Sequence, residues 1–99
     1  MVSAQSNIEY REDVLREMRE MADRGTNVRS LVSVLQNRLS LDDEAIIPVL
    51  VYFRRAFSVS LVDILPIREW LGSDLDQEID DEVMPKIIEA RAKWRRSNS

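Results

Sequence analysis

The chain has no cysteine and no histidine, only two glycines and three prolines among 99 residues, and fewer basic side chains than acidic ones. Without cysteine there is no disulfide framework, no thiolate metal site and no thiol nucleophile. Without histidine it lacks the one side chain that titrates near neutrality, which is also the commonest metal ligand and general base. Carboxylates alone can catalyse, as in glycoside hydrolysis, but they need a cleft for which so short a chain has little room. The expectation is a protein that is not an enzyme, with no catalytic residue, metal ligand or cofactor. So few glycines and prolines also argue against an all-β fold, which needs a turn signal every ten residues or so.

Fourteen basic residues against eighteen acidic ones leave a net charge of −4. A nucleic-acid-binding domain carries the opposite balance, because phosphate neutralisation supplies much of its affinity. Long hydrophobic runs are missing too. The most apolar stretch, Ala45 to Phe53, ends at Arg54-Arg55, whereas a membrane-crossing helix needs about 20 residues. Met1 to Asn7 are polar and carry no positive side chain, unlike a secretory signal. No membrane partner is expected, and the expected compartment is the cytoplasm.

What is present suits a globular protein: 44% hydrophobic and 32% charged residues. The expected organisation is one helical domain over 1–99, with 1–6 and 97–99 as loose ends. Ser6 and Glu9 have capping-box spacing, and Gly25 reads as the stop of a first helix. Within it Tyr10, Val14, Met18 and Met21 fall on one side, widened by Ile8, Leu15 and Ala22. Glu12/Arg16 and Glu20/Arg24 stand at the favourable i,i+4 order on the other side.

Thr26 or Asn27 caps a second helix through Leu39, with Val28, Leu31, Val32, Leu35 and Leu39 on its apolar face. Ser40 and Asp43 suggest another capping box before the apolar run. That run has almost no polar side, so burial all round is expected, either at the centre of a bundle or with one side in a subunit interface. Pro48 fits a first turn or forces a kink. Ser60 and Asp63 cap a short helix, Pro66 opens the next, and Gly72 stops it. A last helix begins after Asp81 or Glu82 and runs to about Arg96, with Met84, Ile87, Ile88, Arg91 and Trp94 as its inward row. The fold class is all-α, an irregular bundle of five or six helices around a central apolar helix.

Four features invite a functional reading. Asp74 to Glu82 holds six carboxylates in nine residues. Asp74, Asp76, Glu78 and Asp80 match the odd-position spacing of a calcium loop, but Ile79 stands where such loops need glycine and Pro85 where they need glutamate. Metal binding is therefore not expected. An acidic start to the last helix is the plain reading, and an anionic docking strip for a basic partner the functional one. Ser73-Asp74-Leu75 inverts the Asp-Ser-Leu order of the acyl carrier modification site, so a carrier role is not expected.

Val28 to Phe57 has the outline of a helix-turn-helix, yet its second helix offers apolar side chains where base edges need polar ones. Arg91 to Arg96 with Trp94 between them suits either a planar ligand or a helix C-terminus with its tryptophan turned inward. Trp70, with Arg54 and Arg55, would anchor a binding patch if exposed.

The expected function is a non-catalytic protein–protein interaction module: an inhibitor, an immunity-type protein, an adaptor or a small regulator. It presents an acidic and aromatic surface, Asp74, Asp76, Glu78, Asp80, Asp81, Glu82, Trp70, Arg54 and Arg55, to a partner protein with a basic surface. Colicin-type immunity proteins resemble it in physical character only, since none of their motifs is present. Self-association through the apolar run is a further expectation, and a helix-turn-helix-like nucleic-acid regulator is the alternative.

Overall fold

The computed structural model describes residues 10–71 and 76–97, without the side chain of Asp76. Six helices form among the described residues, and no strand: α1 (Glu12–Asp23), α2 (Val28–Leu39), α3 (Ile46–Phe57), α4 (Leu61–Ile64), α5 (Pro66–Trp70) and α6 (Asp76–Ser97). The fold is an all-α bundle. α1 packs on α2, α3 and α6, and α6 runs against all five other helices. The core gathers where these contacts cross, on Leu15, Met18, Leu31, Leu35, Phe53, Ile64, Ile67 and Ile87, all fully buried.

The first two helices follow the periodicity closely. α1 buries Val14, Leu15, Met18 and Ala22, and α2 buries Val28, Leu31, Val32 and Leu35. The Asn27 side chain accepts a hydrogen bond from the Ser30 N–H at 2.9 Å, which satisfies one of the unpaired donors at the start of α2. Gly25 closes α1 at φ 87°, with the Thr26 N–H reaching back to the Met21 carbonyl at 3.1 Å. The expected Ser6–Glu9 box lies outside the described residues. Tyr10 precedes α1 and stacks edge-on to Tyr52, with ring centroids 5.2 Å apart.

The expected box of Ser40 and Asp43 does not form. Ser40 takes the left-handed conformation, φ 56°, that ends α2, and the Leu41 N–H closes onto the Gln36 carbonyl at 2.9 Å. α3 then starts from Ala45 with no side-chain cap. Pro48 lies in the first turn of α3, where its missing N–H would have had no helical partner anyway. Burial of α3 is one-sided: Val49, Leu50, Tyr52, Phe53, Ala56 and Phe57 are buried, whereas Ile47 is 69% exposed. The Ser60 side chain does cap α4, accepting from the Asp63 N–H at 3.3 Å, and Pro66 opens α5.

α6 departs furthest from expectation. It begins at Asp76, not after Asp81, and carries Pro85 inside. Its buried row is Ile79, Val83, Met84, Ile87 and Arg91, with Ile88 and Trp94 about half exposed. Phase accounts for Ile88: steps of four residues from Ile79 through Val83 and Ile87 to Arg91 trace one stripe, and Ile88 lies to its side, whereas Trp94 falls in line with the stripe but in the last turn of the helix.

Polar ties join the helices where apolar packing stops. The Arg91 guanidinium donates twice to Asp23, Nε to Oδ1 at 3.0 Å and Nη2 to Oδ2 at 2.9 Å, with Arg95 3.7 Å from the same carboxylate. The hydrogen bonds from Arg91 hold the Asp23 carboxyl below its usual range, against an opposing effect of burial. The same contact pushes Arg91 further up. Arg11, just before α1, and Arg19 within it satisfy carbonyls in the last turns of neighbouring helices. Arg11 Nη1 donates to the Arg38 carbonyl of α2 at 2.9 Å, and Arg19 Nε to the Ala56 carbonyl of α3 at 2.7 Å. Those groups have no intrahelical donor, so a partner from another helix both caps and positions them.

Candidate functional site

The acidic segment does not form a single strip. Asp74 lies outside the described residues, and Asp76 opens α6. Because the segment is helical, residues two apart point to nearly opposite sides. Asp80 accordingly turns inward, where its Oδ1 accepts the Val28 N–H at 2.9 Å and so caps α2 from a distance. Its carboxylate is spent on the fold and does not belong to a partner-facing surface. Asp81 is exposed and accepts from Gln77 Nε2 at 2.9 Å. Among the described residues no group of acidic side chains has the arrangement of a metal site.

Glu78 and Glu82, one turn apart on the same face of α6, do come together with something new. They border a cavity of about 380 Å³ between α5 and α6, whose lining also includes Glu69, Val62, Leu65, Pro66, Ile79 and Trp70. Val62 is 75% exposed and Leu65 38%, so this groove presents apolar surface to solvent with three carboxylates around it. None of the three has an ion pair among the described residues. Glu69 escaped the sequence reading because it stands alone on a five-residue helix, and only the packing of α5 on α6 brings it beside the other two.

Trp70 is buried, with Arg29 5.6 Å over its ring, so it forms a wall of the groove and not a projecting anchor. Arg54 and Arg55 are exposed on α3 and border other surfaces. Arg55 lies 5.2 Å over the Tyr10 ring. The acids and these arginines therefore do not share one patch. Trp94 was expected to pack inward. It is half exposed in the last turn of α6, with the Arg91 guanidinium 4.8 Å over its ring.

The outline of a helix-turn-helix also changes in three dimensions. α2 and α3 pack chiefly on α1 and hardly on each other. The helix that would read base edges buries its aromatic side chains in the core and shows water Ile47, Arg54 and Arg55.

No helix among the described residues is long and apolar enough to cross a membrane. Compared with protein-family models, with curated proteins and with solved structures, the chain matches none.

Proposed function

We propose that this chain works by binding, not by catalysis, and that the α5–α6 groove receives a basic, partly apolar segment of a partner protein. The observation that carries this reading is the set of three uncompensated carboxylates, Glu69, Glu78 and Glu82, around exposed Val62 and Leu65. Glu78 and Glu82 at i,i+4 repel each other by about 0.2–0.5 kcal/mol in an isolated helix, a cost that a cationic ligand would reverse. Carboxylates at a rim steer a basic partner toward the site, and the apolar floor supplies area that holds it once water leaves. An inhibitor, adaptor or small regulator would act this way by occlusion. A cytoplasmic setting suits a fold held without disulfides.

The test compares capture from the native host by the full chain and by a chain bearing Glu69→Lys, Glu78→Lys and Glu82→Lys. The expected outcome is at least one protein retained by the first and lost with the second, released from the first as salt rises. Identical retention by both chains would sink the groove as the binding site. A shift of random duplex DNA at low ionic strength would favour the nucleic-acid regulator instead.

A further inference from the structure

On the other side of Leu65 lies a second, larger groove of about 630 Å³, formed by α3 with α4 and α5. Its walls are Ile46, Ile47, Leu50 and Val51 on one side and Leu61 and Leu65 on the other. Ile47 is 69% exposed, Leu61 42% and Leu65 38%. Scattered apolar side chains on a surface need no explanation, but a contiguous apolar groove marks a place where something docks.

The charges around it say what. Glu44 stands just before the start of α3 and Arg54 near its end, both lining the groove. Neither has an ion pair among the described residues. An occupant of this groove therefore needs a base at one end, an apolar middle, and an acid at the other. α3 itself, turned end for end, has that order. In a two-fold pairing every contact from residue i to residue j is repeated from j to i, so one match of acid to base counts twice. We infer that this groove is the interface between two copies of the chain, related by a two-fold axis that sets α3 antiparallel to its mate. Ile47 of each copy then faces Val51 of the other, and Glu44 faces Arg54. Arg68, on the opposite wall, takes no part in that match. This surface is separate from the acidic groove of the proposed function, and either can fail without the other.

Sedimentation velocity on the full chain, from about 1 μM to about 1 mM, tests it. The expected result is a concentration-dependent rise from 11.5 kDa toward twice that mass. Ile47→Glu should weaken the association by roughly tenfold or more, since a charge then meets an apolar wall in both halves of the interface. Glu44→Arg alone should weaken it similarly, and Glu44→Arg with Arg54→Glu should restore it to within about threefold, because the exchange rebuilds the same pairs reversed. All three positions are exposed, so circular dichroism should show an unchanged helical fold. A single 11.5 kDa species at every concentration would overturn the inference. So would a dimer indifferent to Ile47→Glu, or a double exchange no better than the single.

Discussion

The two sides of this bundle are finished in different ways. Where α1, α2 and α6 meet, each helix is fastened by polar contacts as well as packed. Arg91 grips Asp23, Asp80 caps α2, and Arg11 takes the last turn of α2. Where α3, α4 and α5 meet, the outer surface is apolar and open, with Ile47, Leu61, Val62 and Leu65 facing water. The first side uses Asp23, Asp80, Arg11 and Arg91 to tie its helices together, although the expected pairs Glu12/Arg16 and Glu20/Arg24 do not close among the described residues. The second leaves Glu44, Glu69, Glu78, Glu82 and Arg54 without ion pairs among the described residues. Helices that fasten to one another through charged side chains on one side of a bundle can leave its other side apolar and open.

Four experiments break or sharpen that contrast. Phe53 is fully buried and sits edge-on to Phe57 at 5.8 Å, inside the contact that both sides share. Phe53→Ala should therefore cost about 3–5 kcal/mol in urea denaturation, the largest single loss in the set. Next comes Arg91→Met, which keeps the stem and removes the grip on Asp23. A loss of about 1–2 kcal/mol is expected, below the range for a fully buried pair because Asp23 keeps contact with water.

The same pair fixes a pH dependence. Asp23 titrates below its ordinary value near 3.8, chiefly because Arg91 hydrogen-bonds its ionised form. A lowered carboxyl contributes stability that is complete above the unfolded value and disappears as pH falls through the folded one. Urea midpoints for the natural chain and Asp23→Asn should thus differ at neutral pH and converge in acid, below 3.8. The smallest effect belongs to the open side. Val62→Ser, at a position 75% exposed, should change stability by no more than about 0.5 kcal/mol while weakening partner capture. A large stability loss there would erase the distinction between the two sides.

Much of this was legible in the residues. Asn27, Gly25, Ser60 and Pro66 punctuate the chain as their chemistry demands, and the apolar stripes of α1 and α2 are those the spacing predicts. Two kinds of signal misled. Serine–acid spacing at Ser40 promised a cap, but a helix already ending at that residue had claimed its backbone. A cluster of acids promised one surface, but helical periodicity distributes neighbouring side chains around the axis, sending Asp80 inward and Glu78 outward. The acidic groove itself was not legible. Glu69 and Glu82 are thirteen positions apart, and only the tertiary packing of two helices makes them neighbours.

Pro85 withdraws one amide from the 22-residue α6, leaving the Asp81 carbonyl without its helical donor. The two anchors of that helix, Asp80 on Val28 and Arg91 on Asp23, fall on either side of it. The proximal half is moored to α2 and the distal half to α1, so each end of the helix has its own attachment. Loss of the distal contact is expected to loosen only the tail beyond Arg91, because fully buried Ile87 holds the turn after the proline, and hydrogen exchange of the last amides checks it.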